Sequence, residues 1–144
     1  PSLGGRVKLV SNGGTVGPFE LSACVPPAVT PSSDWDQLMQ ARAPGESVLL
    51  EWSDPLPHAR IYLRMTTGIG THGGISPIEI ECEGPDLGSL ELPGDYLDQL
   101  FANGWACGEC GINDLKRYVA DEAEIEGGVA RLTVEARTSF YFHP

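Results

Sequence analysis

The sequence predicts an all-β protein, an antiparallel immunoglobulin-like β-sandwich with one or two short helices. Three observations point there. Apolar and polar residues alternate over seven or eight short runs, the pattern of strands with one face buried. Turn signals rich in Gly and Pro separate those runs at intervals of 8 to 15 residues. Only two stretches show helical spacing, so strands joined through full crossover helices are excluded.

The clearest stretch is residues 77–103. Ile78, Ile80 and Cys82 alternate with Glu79, Glu81 and Glu83. A Gly-Pro-Asp-Leu-Gly turn follows, then Leu90 and Leu92 around Glu91. After Pro93-Gly94, the residues Tyr96, Leu97, Leu100 and Phe101 recur at helical spacing, with Asp95 and Asp98 near the start and Gly104 as terminator. That is strand, turn, strand and helix in succession.

The remaining elements follow the same logic. Residues 6–10 form a short strand, and Asn12-Gly13-Gly14 a turn. In residues 16–25, Phe19, Leu21, Ala23 and Val25 share one face; Pro18 makes the start irregular and Pro26-Pro27 ends the run. Ser32 or Ser33 caps a helix over residues 34–41, with Trp35, Leu38 and Met39 in one stripe; a long structured loop is the alternative. Residues 46–52 form a strand with Val48, Leu50 and Trp52 on one side, Trp52 as a core residue. Residues 59–67 direct Ile61, Leu63 and Met65 inward and Arg60, Tyr62, Arg64 and Thr66 outward. The glycine-rich residues 68–74 lack phosphate-loop spacing and precede a strand, so they read as a hairpin loop. Residues 105–111 form a Gly/Cys loop. Residues 112–125 and 129–142 are hairpin strands joined at Gly127-Gly128. No repeat or long linker divides the chain, so residues 1–144 read as one domain.

The formal net charge of −11, from 20 acidic and 9 basic residues, repels phosphate backbones and anionic lipid, which argues against a nucleic-acid partner. No apolar run reaches the roughly 18 residues of a membrane helix. A start without Met reads as a mature or trimmed product.

Four cysteines, Cys24, Cys82, Cys107 and Cys110, predict two disulfides in an oxidising compartment. Cys107–Cys110 with Cys24–Cys82 is the favoured pairing, and either crossed pairing is an alternative. A four-thiolate zinc site is disfavoured, because Cys24 and Cys82 lie far apart in sequence; free thiols remain a third state. The Cys107-Gly108-Glu109-Cys110 pair follows a helix and precedes a strand, the reverse of the order that activates a redox thiol. His58, His72 and His143 lack metal-site spacing, and no Ser stands in a nucleophile elbow. No catalytic residue, metal or cofactor is assigned. The row Glu79, Glu81 and Glu83 needs solvent or counter-charges, and Arg60 and Arg64 are its expected cross-strand partners.

One resemblance adds to this. A strand ending in Trp (SVLLEW, 47–52), a strand ending in Cys (IEIEC, 78–82) and an acidic Gly turn with a Pro step (GPDLGSLELP, 84–93) come first. A Leu-rich helical turn and a Gly-Gly hairpin before a Thr/Val strand complete the order. This resembles certain bacterial secreted proteins and lipoproteins with immunoglobulin-like or fibronectin-like sandwiches. It covers residues 46–142 and carries over no active-site residue. It implies export to the bacterial surface or periplasm, with room for a lipid anchor upstream. The Cys107–Cys110 insert departs from that pattern. The resulting expectation is a non-catalytic exported module binding an unknown protein or glycan. A carbohydrate-binding or adhesion module using Trp35, Trp105 and Tyr141 is the first alternative. An enzyme acting through the CxxC pair or through carboxylates is the second.

Overall fold

The computed structural model describes residues 4–69, 74–104 and 113–142. In chain order the elements are β1 (Arg6–Ser11), β2 (Phe19–Cys24), α1 (Trp35–Ala41), β3 (Val48–Glu51) and β4 (Arg60–Ile69). They continue with β5 (Gly74–Pro85), β6 (Ser89–Leu92), α2 (Gly94–Ala102), β7 (Asn113–Ile125) and β8 (Gly128–Phe140). All strand pairing is antiparallel, in a four-stranded sheet ordered β5-β4-β7-β8 and two ribbons, β1-β2 and β3-β6. The all-β antiparallel class with two short helices is therefore observed.

The alternation written in β4, β5 and β7 decides which face of the large sheet is dry. Ile61, Leu63, Met65, Ile80 and Leu115 point to one side and are buried, as the period of two requires. Over them lie Val48, Leu50 and Leu92 of the β3-β6 ribbon, Trp35 and Met39 of α1, and Leu97 and Leu100 of α2. Each such leucine contributes roughly 1.5–3 kcal/mol by leaving water. Trp52 is a core residue, as expected. Trp35 is not the exposed contact residue that the sequence offered: it is 3% exposed, stands edge-on to Phe140 at 5.2 Å, and donates through Nε1 to the Glu51 carbonyl at 3.2 Å.

Residues 77–103 behave less simply than their pattern. β5 pairs with β4, but β6 leaves it and pairs with β3. Gly88, at φ 84°, makes the departure, and its carbonyl accepts the Trp52 N–H at 3.0 Å. α2 opens on Pro93, whose carbonyl accepts from the amides of Tyr96 and Leu97. Gly94 is buried there, because any Cβ would fall on the Gly45 carbonyl. Asp98 then ties α2 to the preceding loop. It accepts from Arg42 and from the Gly45 amide at 2.7 Å, and the Arg42 bond foremost holds its carboxyl below the usual aspartate value.

Gly104 follows α2 for a different reason from the one its position predicts. Its Cβ would fall on Thr67 and the Gly68 carbonyl, so close packing excludes a side chain. The cap of α1 is Asp34, which accepts from the amides of Asp36 and Gln37; neither Ser32 nor Ser33 fills that role. Ser32 is engaged elsewhere, donating its amide to Glu51.

β7 and β8 run well past β4, which pairs with β7 only from Asp114 to Tyr118. Their far half is covered by β2, through buried Leu21 and Ala23, and the Ser22 amide donates to Asp121 at 2.8 Å. Where the two halves meet, Arg117 lies 2.8 Å from Asp86, both side chains almost wholly buried.

Candidate functional site

The outer face of the four-stranded sheet carries the charges that the sequence placed there. Arg60 Nε lies 3.0 Å from Glu83, and Arg64 reaches Glu79 through Nε at 2.9 Å and Nη2 at 2.7 Å. These partners are diagonal; directly opposite, Arg64 faces Glu81 and Tyr62 faces Glu83. The Tyr62 hydroxyl donates to Glu81, and Tyr118 donates to Glu83 at 2.5 Å. The bond from Tyr118 and the bond from Arg60 lower the Glu83 pKa, in that order. Donation to Glu81, more than burial, pushes the Tyr62 hydroxyl up to about 12. Each of the three glutamates is thus held by a neighbour. A carboxylate already holding a tyrosine or an arginine is poorly placed as a general acid or nucleophile.

The edge of β5 is different. β5 is the outermost strand of its sheet, and no described strand pairs with its far side. Beside that edge runs a groove of 420 Å³. One wall is five consecutive residues of β5: Ile78, Glu79, Ile80, Glu81 and Cys82. Side chains of a strand alternate between faces, so a wall made of an unbroken run is the strand's backbone edge. The other wall is Glu91 and Pro93, leading into α2, and then Tyr96 and Gln99, three apart on one helix face. Tyr96 is 58% exposed. Among the described residues the Glu91 side chain has no hydrogen-bond or ion-pair partner.

A second groove, of 470 Å³, is more apolar. It opens where β4 begins and is lined by Cys24, Leu56, Pro57, His58, Val119 and Asp121, among others. Asp121 is already an acceptor for the Ser22 and Glu122 amides. Among the described residues no cluster of His, Cys, Asp and Glu is arranged to hold a metal ion.

No family model, curated protein or solved structure matches this chain.

The predicted site residues scatter. Cys24 lies on β2 in the apolar groove and Cys82 on β5 beside α2, and both are free thiols. The Cys24–Cys82 bridge is therefore not formed; the other expected pairings need Cys107 or Cys110, which lie outside the described residues. Cys24 and Cys82 belong to strands of separate sheets, each packed against its own neighbours. Burial raises the Cys82 pKa, as for a thiol with apolar surroundings. Cys107, Cys110 and Trp105 lie outside the described residues, as do His72, His143 and residues 70–73 of the glycine loop. Tyr141 is exposed, as the adhesion reading requires, but its expected companion Trp35 is in the core.

Sequence reasoning missed the groove. Its β5 wall was read only as a face, and α2 was placed after β6 without a partner. It also missed the buried acid–base pair, although one signal was present. Arg117 falls in phase with Leu115 and Val119, so its side chain is directed inward and demands an acid.

Proposed function

We propose that this protein is a non-catalytic interaction module whose contact surface is the groove between the β5 edge and α2. One observation carries the reading: a strand edge that no described strand pairs stands opposite a helix wall, with five consecutive β5 residues along it. An unpaired edge offers a row of backbone donors and acceptors to a segment from another chain, apart from the Ile78 amide, which already donates to Ser76 Oγ at 3.2 Å. The occupied state of Glu79, Glu81 and Glu83 favours binding over catalysis, since their oxygens are engaged by Arg64, Tyr62, Arg60 and Tyr118.

An immunoglobulin-like arrangement fits this proposal. The four-stranded sheet and the two further antiparallel ribbons would be the layers of such a sandwich. Export to the bacterial envelope rests on the sequence resemblance, because Cys24 and Cys82 form no bridge that would call for an oxidising compartment.

The test is a selection of random displayed peptides on the folded chain, followed by amide hydrogen exchange. Selected binders are expected to slow exchange at residues 78–82 and to lose affinity when Gln99→Trp fills the groove. Binders that protect only the Cys24–His58 groove, or a library that yields none, would remove the proposal.

A further inference from the structure

Resting on that reading, we infer that the β5–α2 groove receives an extended peptide as a fifth strand of the sheet, with basic residues alternating with apolar ones. The alternation follows from the edge itself. A strand added beside β5 shares its pleat, so its side chains fall in two sets. One set lies on the outer face beside Glu79 and Glu81. The other lies on the inner side with Ile78, Ile80 and Cys82, facing Tyr96 and Gln99. The first set meets carboxylates and the second meets apolar and aromatic surface. Backbone pairing supplies contact that any sequence can make, and the period of two supplies the selectivity.

Charge fixes the sign of the first set. Among the described residues the groove is lined by three glutamates, Glu79, Glu81 and Glu91, and by no cation. Arg64 partners Glu79, but Glu81 is held by the hydroxyl of Tyr62, which donates a hydrogen bond and leaves the carboxylate charged. The Glu91 carboxylate has no partner among the described residues. The net local charge is therefore negative, within a chain of formal charge −11. The same row argues against a second copy of this chain as occupant. Pairing β5 with its own image would set glutamates against glutamates, a common device against edge-to-edge association.

The experiment uses three eight-residue peptides with blocked ends, titrated by fluorescence anisotropy. One alternates lysine with valine and threonine; one has the same composition with its lysines grouped at one end; one has glutamate for every lysine. The alternating peptide is expected to bind at least tenfold more tightly than the grouped one, to weaken steeply with salt, and to slow amide exchange at residues 78–82. The glutamate peptide is expected not to bind. Gln99→Lys, on α2 and outside the charged ladder, is expected to weaken the alternating peptide tenfold or more; Glu91→Lys should do the same. Equal affinity for alternating and grouped lysines would overturn strand addition. Equal or tighter binding of the glutamate peptide, with β5 protected, would overturn the basic partner and leave the interaction module standing. Protection absent from β5 with every peptide would remove both. A concentration-dependent dimer abolished by Gln99→Lys would replace the peptide with a second copy.

Discussion

Two regions of this molecule spend charge in opposite ways. On the outer face of the large sheet, Arg60 holds Glu83, Arg64 holds Glu79 and the Tyr62 hydroxyl holds Glu81 across β4 and β5, all in reach of water. Beneath the sheet, Arg117 and Asp86 form an ion pair with side chains 1% and 0% exposed. Asp86 accepts from Trp52 Nε1 and from the Leu56 amide, both at 2.8 Å. Arg117 donates to the carbonyls of Pro27 at 3.3 Å and Asp54 at 3.1 Å. Its Nε hydrogen is not aimed at Asp86, so that contact is Coulombic rather than a hydrogen bond. The ladder organises a surface. The buried pair draws three connections to one point: the Pro26-Pro27 stop, the turn after β3 and the turn after β5. Asp54 bends to serve it, at φ 53°, a left-handed conformation that aspartate tolerates. Equal charges on paper therefore do different work, and burial decides which.

The largest expected effect breaks the buried side of that contrast. Asp86→Ala leaves Arg117 buried without its acid and also strands the Trp52 and Leu56 donors. Removing one partner of such a pair costs about 3–5 kcal/mol. A urea unfolding curve is expected to shift its midpoint to lower urea by that loss divided by the slope, with the slope unchanged. Replacing both residues, Asp86→Leu with Arg117→Met, is expected to recover only part of the loss. The arginine charge is gone, but the Trp52 and Leu56 N–H groups still lack an acceptor. Full recovery in the double variant would show that the hydrogen bonds to Asp86 contribute little.

A smaller effect belongs to the ladder. Arg64 and Glu79 are 47% and 39% exposed, so solvent screens their attraction. A double-mutant cycle between Arg64→Ala and Glu79→Ala is expected to give roughly 0.2–1 kcal/mol, falling with salt. The same Arg64→Ala variant sharpens the functional reading. It frees Glu79 beside the groove, so the alternating lysine peptide should bind a few-fold more tightly while the fold is barely disturbed. Unchanged or weaker binding would detach the ladder from the groove.

The same contrast explains what was legible in the sequence. The ladder was readable because a half-exposed strand spells its two faces in alternate letters; Glu79, Glu81 and Glu83 against Arg60, Tyr62 and Arg64 needed only the period of two. The diagonal pairing was not readable, since register depends on turns and twist. The antiparallel class, both helices and most of the core were present in periodicity. The β3–β6 ribbon was not, because it joins strands with β4 and β5 between them, and periodicity says nothing about non-local partners. The buried pair sits partly in a turn, where Asp86 has no phase to read. The groove needs two elements to be placed in space before it exists, so neither β5 nor α2 announces it alone.

The smallest expected effect is on the ladder's tyrosine. The Tyr62 hydroxyl donates to Glu81, and this bond, ahead of burial, pushes its pKa up to about 12 from an ordinary value of 10. A raised tyrosine pKa means that the folded chain favours the neutral phenol. Its stabilisation is complete below the ordinary value and is lost as pH rises through the folded one. Glu81→Gln keeps an acceptor for the phenol and removes the negative charge that resists phenolate. Among the four tyrosines, a late-ionising component in the ultraviolet titration is therefore expected to move to lower pH in this variant, with the melting temperature at neutral pH little changed. Coincident titration curves would mean that Glu81 does not govern Tyr62. In that case Glu81 would be freer to meet a basic peptide than its place in the ladder implies.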